Sequence, residues 1–460
     1  MDEPSTKSIQ RATLIVASTA SFITPFIGAS INIALPSIGK EFSANALLLS
    51  WVATSFLLSS AIFLVPFGRI ADIYGRKKIF NLGIIIYTIF TFFSAYAPDI
   101  KILILLRIFQ GMGGAMIFGT GMAIITSVFP RESRGKALGI VVSAVYAGLT
   151  LGPFIGGVLT KNYGWHSIFI FTIPFGLLAL ILSFIFLKDD WAEAKGEKFD
   201  WKGSLLYAVS ITSLIYGFSQ LPGLIGGILT ILGVLGLWLF ISFEKHLDFP
   251  VLNIRLFQNN QVFAFSNYAA LINYSATFAI GFLLSLYLQY IKGLNPQEAG
   301  QILVIQPLLM AVFSPITGKL SDKINAGKVA SIGMAMISAG LVIISFINSQ
   351  TSLRMIVPVL ILFGIGLALF SSPNTNAIMG SVEKKYYGIA SGTIGTMRLV
   401  GQMASMGIAM LLFSLFIGKV EINPSNFNAF ILSIRTAFII FAVLCFVGVF
   451  FSLARNNSKK

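Results

Sequence analysis

Apolar residues in this chain fall in long uninterrupted runs separated by short charged or Gly/Pro-marked breaks. A helix that crosses the hydrocarbon of a bilayer needs about 20 apolar residues at about 1.5 Å each. Scanned on that basis, the chain predicts fourteen spans, near 13–35, 47–67, 79–97, 102–128, 137–159, 165–187, 203–220, 222–243, 263–290, 301–318, 328–348, 355–379, 388–416 and 436–453. The expected fold is therefore an all-α polytopic membrane protein. The first run is too long for the apolar core of a signal peptide and continues into Asn32-Ile-Ala-Leu-Pro36 without a convincing cleavage site, so it is expected to remain attached.

Composition agrees: 56% of residues are hydrophobic and 11% charged, against about 25% charged in ordinary soluble domains. The 32 basic and 17 acidic residues give +15, which in a soluble chain would suggest nucleic acid. Position gives the excess another meaning. With the N-terminus inside, 23 of the Lys and Arg residues fall in cytoplasmic segments and 7 on the opposite side, which satisfies the positive-inside rule in one orientation only. A multi-pass protein of the cell membrane with both termini cytoplasmic is expected, its basic loops meeting anionic lipid and no nucleic acid. Cys445 is the single cysteine, and the histidines, His166 and His246, are 80 residues apart. No structural metal, intramolecular disulfide or cofactor is expected.

The chain also repeats itself. Gly68-Arg-Ile-Ala-Asp72-Ile-Tyr-Gly75-Arg76-Lys77-Lys78 follows the second span, and Gly318-Lys-Leu-Ser-Asp322 through Gly327-Lys328 follows the tenth, at an offset of 250. Gly135 to Gly139, opening the fifth span, aligns with Gly388 to Gly392, opening the thirteenth, and Gly148 then falls on Gly401 at an offset of 253. Spans 1 to 6 thus recur as spans 9 to 14, with spans 7 and 8 inserted between them. The predicted organisation is a tail over 1–12, a six-helix half over 13–187, two inserted helices with flanking loops over 188–262, a second half over 263–453 and a tail over 454–460.

Two parallel six-helix halves in one chain resemble the major facilitator superfamily. Gly68 to Lys78 resembles its cytoplasmic loop signature. Leu106-Arg107-Ile-Phe-Gln110-Gly111 resembles its fourth-helix signature, and Gly148-Leu-Thr-Leu-Gly152-Pro153-Phe-Ile-Gly156-Gly157 the antiporter signature of its fifth helix. Asn32 to Pro36, Leu49-Ser-Trp51 and Pro296-Gln-Glu-Ala-Gly300 are similar to the fourteen-helix drug/proton antiporter branch, which exports lipophilic compounds. The resemblance implies that Gly68, Asp72, Gly75 and Arg76 form a clamp between the halves. By the repeat, Asp72 would reach the start of span 13 near Gly388, and Asp322 the start of span 5 near Gly135. It also implies that the fifth-helix signature seals the inward route and that Arg107 takes part in proton coupling.

Physically, the loop after span 2 sets four bases against headgroups and puts a carboxylate where the free amides of a helix N-terminus can bind it. Gly148, Gly152 and Gly156 recur every four residues, so one face of span 5 admits a second backbone, and Pro153 adds a bend. Two bases, Arg107 and Arg398, fall inside apolar runs. An intramembrane guanidinium costs at least about 2.5 kcal/mol, so both should face the protein interior or a wet cavity. Arg107 and Gln110 share a helix face, as do Arg398 and Gln402, and both pairs are expected to look into the cavity. Asn32, Tyr146, Asn267, Asn273, Gln306 and Asn374 are candidate substrate contacts, each also explicable as an interhelical hydrogen bond. Trp51 and Trp165, at span ends, are expected to be interfacial anchors.

Two absences narrow the function. No Gly-x-x-x-x-Gly-Lys-Ser/Thr stretch exists for ATP, and no cluster of His, Asp and Ser suggests an enzyme. Phe26 to Ile31 lacks the aspartate usual before the Asn-Val-Ala-Leu-Pro motif of the drug/proton branch, which favours neutral or anionic cargo over cations. The leading expectation is a monomeric secondary exporter of lipophilic small molecules, moved by alternating access and driven by protons or another ion. Export of organic anions or metabolites, uptake of a polar nutrient and a non-transporting receptor stand as alternatives.

Overall fold

A computed structural model describes residues 6–187, 190–247, 257–258, 260–383 and 387–455. It is all-helical over these residues. The first half comprises α1 (Thr6–Phe42), α2 (Ala46–Tyr74), α3 (Arg76–Ala95), α4 (Ile100–Val128), α5 (Arg131–Tyr163) and α6 (His166–Phe186). A hairpin of α7 (Trp201–Gln220) and α8 (Leu224–Glu244) follows. The second half comprises α9 (Gln261–Leu286), α10 (Pro296–Leu303) with α11 (Ile305–Lys323), α12 (Ala326–Ile344), α13 (Leu353–Gly380), α14 (Tyr387–Phe416) and α15 (Phe427–Ala454).

Polar caps set several of the breaks that the sequence marks. Asp99 accepts from the N–H groups of Lys101 and Ile102 to start α4. Asn295 and Glu298 form a reciprocal capping box at the start of α10, with Pro296 in its first turn. α9 ends in a π-helical turn over Tyr287–Ile291, and the tenth span is two helices that meet at Val304. Thirteen helical stretches among the described residues are long and apolar enough to cross a membrane. α7, the predicted seventh span, falls outside that set because serines and a glutamine dilute its apolar content.

The internal repeat is reproduced in packing. In the first half α1 packs on α5 and α6, α4 on α2 and α3, and α3 on α6. In the second half α9 packs on α14 and α15, α13 on α11 and α12, and α12 on α15. These are the same pairings displaced by one repeat. Single residues show it too: a Cβ on Gly148 would lie 2.5 Å from the Phe22 carbonyl of α1, and one on Gly401 would lie 2.7 Å from the Leu271 carbonyl of α9. Across the halves α2 meets α14, while α5 meets α10 and α11, as a two-fold relation requires. The hairpin departs from that relation. α7 lies on α2 and α14 at one inter-half seam, and α8 packs on α7.

Candidate functional site

The face that carries the α2–α3 loop is here called the basic face. At the other face the halves are stitched together. Ser285 donates to the Asn32 carbonyl, and Gln289 donates to the Ile33 carbonyl at 2.9 Å. Lys161 donates to Gln297 at 3.1 Å, and Thr54 to the Met410 sulfur at 3.3 Å. A Cβ on Gly157 would lie 2.6 Å from the Pro296 carbonyl, and one on Gly300 would clash with the Pro153 carbonyl. Two of the sequence motifs thus meet across the halves. These hydrogen bonds, with the one from the Ala46 N–H to the Val420 carbonyl, join the halves toward this face. The stripe of Gly148, Gly152 and Gly156 is turned instead to α1 of its own half, where Ser30 donates to the Gly152 carbonyl at 2.9 Å.

The two intramembrane arginines, expected to share one cavity, have separate surroundings. Arg107 is 1% exposed inside the first half. Its Nε donates to the Val52 carbonyl at 3.2 Å, a terminal nitrogen donates to Gln110, and Phe56 lies under the guanidinium at 4.5 Å. Gln110, buried too, donates to the Thr91 hydroxyl at 2.6 Å. The expected cavity position of Arg107 and Gln110 is therefore corrected. Gly111 lets α4 close on α2, where Ser60 donates to the Gly111 carbonyl at 3.1 Å, and that contact shuts their face off from the cleft.

Arg398 lies where the halves face each other. It is half-buried, on α14, and its guanidinium carbon stands 5.7 Å from the ring centroid of Phe118 on α4. The Tyr274 hydroxyl of α9 lies within electrostatic reach of Arg398 and of Tyr146 of α5, with Ser371 of α13 beside it. Both tyrosines, Ser371 and Gln402 are half-buried. The group is a cation of α14 among aromatic rings from α4, α5 and α9, with hydroxyls at its edge.

The remaining candidates divide by burial. Asn32 and Gln306 are half-buried. Asn267 and Asn273 are 0% exposed and Asn374 is 3% exposed, so these three do not line the cleft here. They sit where helices of the second half pack on one another: Asn267 donates to the Phe263 carbonyl of its own helix, and Asn374 to the Ser266 carbonyl at 3.1 Å. Trp165, expected as an interfacial anchor, is 2% exposed, because its indole N–H donates to Glu41 at 2.8 Å and its ring stacks on His166 at 3.8 Å. Trp51 is half-buried, its ring 6.0 Å from Tyr216 of the hairpin.

At the basic face Gly68 is half-buried, and the Asp72 carboxylate accepts from Arg76 Nε at 2.8 Å. Arg76 is 7% exposed and also donates to Ser127 at 2.9 Å and to Glu193 at 2.8 and 3.0 Å. Gly75 has φ 120°, a left-handed conformation that glycine adopts without strain. The Asp322 side chain, and the side-chain surroundings of Gly135 and Gly388, lie outside the described residues.

Sequence reading missed two features. One is the set of acids in the α6–α7 linker that meets this loop. The other is Arg455, assigned to a solvated tail but 3% exposed. It donates to Ser266 at 3.0 Å, to Asn374 at 2.7 Å, to the Ala326 carbonyl at 3.1 Å and to Ser452 at 3.1 Å. Burial pushes its guanidinium down to about 10, still far enough above neutrality to keep it charged. Ser266 and Asn374, polar at equal depth in facing apolar runs, were the available signal.

A family model described as Major Facilitator Superfamily matches residues 17–406 and 267–460. The chain belongs to the Major Facilitator Superfamily. Within this superfamily it is 30% identical over 443 residues to the riboflavin transporter RibZ of Clostridioides difficile (strain 630), covering 95% of each chain. It is 29% identical over 410 residues to the multidrug resistance protein Stp of Mycobacterium tuberculosis (strain CDC 1551 / Oshkosh), covering 87% of this chain and 75% of that one. Among solved superfamily folds it is similar to a bacterial homologue of the human lysosomal transporter Spinster in an inward-facing, unoccupied conformation. That match has a TM-score of 0.69 at 16% identity and covers 99% and 98% of the two chains. At that identity the match speaks to fold alone. The protein is a multi-pass membrane transporter of this superfamily.

Proposed function

We propose that the protein exports planar lipophilic compounds, neutral or anionic, by alternating access across the cell membrane, driven by an ion gradient and most simply by protons. The observation that carries the reading is Arg398 between the halves, with Phe118, Tyr146 and Tyr274 around it. The guanidinium charge of Arg398 attracts an anion and repels a permanent cation, while the surrounding rings offer stacking area to a planar solute. A relative named for riboflavin transport and others named for multidrug resistance support a planar or lipophilic cargo.

In this reading the basic face is cytoplasmic, both termini lie inside and the working unit is a monomer. The stitched face is the outer gate, and the conformation receives cargo from the cytoplasm. Rocking the halves breaks the contacts of Gly157 and Gly300 and closes the basic face, where Asp72 leaves Arg76 to engage the facing half near Gly388. Asp322 takes the matching part toward Gly135. Asn32 and Gln306 extend the cargo surface, while Arg107 and Gln110 act on coupling through α2 and α4 and not by touching cargo.

The test is flux in proteoliposomes across matched anionic, neutral and cationic aromatic compounds, with pH or sodium gradients imposed in turn. Gradient-driven movement of anionic and neutral members is expected. Export of a quaternary ammonium dye at equal or greater rate would overturn the charge selectivity, and absence of flux for every compound would overturn the transport reading.

A further inference from the structure

Residues 190–197 of the linker between α6 and α7 bind the junction of α2 and α3. Two backbone bonds anchor it: the Arg76 N–H donates to the Trp191 carbonyl at 2.9 Å, and the Ala194 N–H donates to the Asp72 carbonyl at 2.9 Å. Three carboxylates add to these. Asp190 accepts from the Lys77 N–H at 3.0 Å and pairs with Lys78 at 3.7 Å. Glu193 takes both terminal nitrogens of Arg76, and Glu197 pairs with Arg69. The Asp190 carboxylate occupies the place where a side chain on Gly75 would sit. The linker then runs through Asp200, which caps α7 by accepting from the Gly203 N–H at 3.0 Å, into the helix that lies on both α2 and α14.

Arg76 is therefore shared. Its Nε holds Asp72 at 2.8 Å while its other nitrogens hold Glu193, so two carboxylates compete for one guanidinium. From this arrangement we infer that residues 190–197 form a strap that is a working part of the basic-face gate, and that Glu193 is a positioning residue acting through Arg76 on Asp72. While Glu193 neutralises part of the guanidinium, Asp72 is held loosely enough to change partners. Without that charge, Arg76 holds Asp72 alone and more tightly, and the gate stays open at the basic face. The inference rests on the alternating-access reading and adds to it a segment outside the internal repeat.

Glu193 suits a clean test, since its side chain is 67% exposed and Gln has the same shape, so the fold is not at risk. Spin labels on Lys136→Cys and Lys319→Cys, both exposed at the basic face, report the distance between halves in nanodiscs by pulsed electron resonance. Cys445 is buried and remains unlabelled. Glu193→Gln is expected to raise the open-to-closed population ratio about threefold, the scale of an exposed ion pair, and Glu193→Asp to restore it. In an Asp72→Asn background Glu193→Gln is expected to have no further effect, since residue 72 then carries no charge for Arg76 to hold or release. An unchanged ratio in Glu193→Gln, or an equal shift in the Asp72→Asn background, would overturn the inference. No cargo is needed, so the strap and the export reading fail or stand separately.

Discussion

Gly300 abuts the carbonyl of Pro153 so closely that a methyl group on it would collide with that oxygen, and across the same contact Gly157 faces the carbonyl of Pro296. Two backbones from different halves touch where neither carries a side chain. The contact seals one face of the cleft beside the Lys161 to Gln297 hydrogen bond, so opening there parts close-packed backbone together with the polar bonds of that face.

The Gly300→Ala variant is expected to keep the fold, because alanine favours the local helix by about 1 kcal/mol over glycine, and to lose the seal. Overpacking a close contact costs about 1 to 3 kcal/mol, so the conformational balance moves toward opening at this face. Labelling of a cysteine placed at Gln297, with and without the Gly300→Ala change, measures it. An increase of about tenfold in labelling rate is expected.

Arg107 and Arg398 should separate in their effects. Arg107→Met leaves the Gln110 amide oxygen buried without its donor, at about 1 to 3 kcal/mol for such a group, and the Val52 carbonyl with its helical bond alone. Thermal stability of the purified protein should fall, with flux lost for every cargo alike. Arg398→Met should leave stability within about 1 kcal/mol, since the residue is half-buried, and should raise KM for anionic cargo about tenfold with little change for neutral cargo. Melting curves beside a two-cargo flux assay distinguish the pair.

Asp72→Asn is expected to slow transport at least tenfold while leaving insertion and expression unchanged. The amide keeps its size and can still accept a hydrogen bond from Arg76, but it offers no charge to the facing half. Single-turnover flux in vesicles containing equal amounts of inserted protein checks it, and normal flux would remove Asp72 from the gate.

Arg455→Ala should destabilise the second half selectively. Its four acceptors belong to α9, α12, α13 and α15, and leaving a buried amide and hydroxyls unpaired costs about 1 to 3 kcal/mol each in favourable cases. Hydrogen exchange resolved by segment should show faster exchange in α12 and α13, with α2 to α4 unaltered.

Helix number, the duplication and the motifs were all legible in sequence, because a bilayer imposes run length and a repeat preserves its spacing. What the runs do not encode is rotation about each helix axis. Arg107 and Arg398 have the same sequence character, a base in an apolar run with an amide one turn on, yet α2 closes over the first while the second stays at the inter-half surface. Glycine spacing showed that α5 receives a second backbone but not which one, and Gly148 turned out to face α1 while Gly157 faces α10. Loop chemistry was hidden for another reason. The acids at 190, 193 and 197 lie more than 110 residues from the bases they bind, and no period links them.

The hairpin gives the molecule a handedness toward lipid that its duplicated plan lacks. α7 roofs the seam between α2 and α14, while among the described residues no helix packs in the same way over the equivalent seam between α5 and α11, which bears exposed Leu151, Phe154, Leu308 and Val312. A solute already dissolved in the membrane meets a wall on one flank and bare seam on the other.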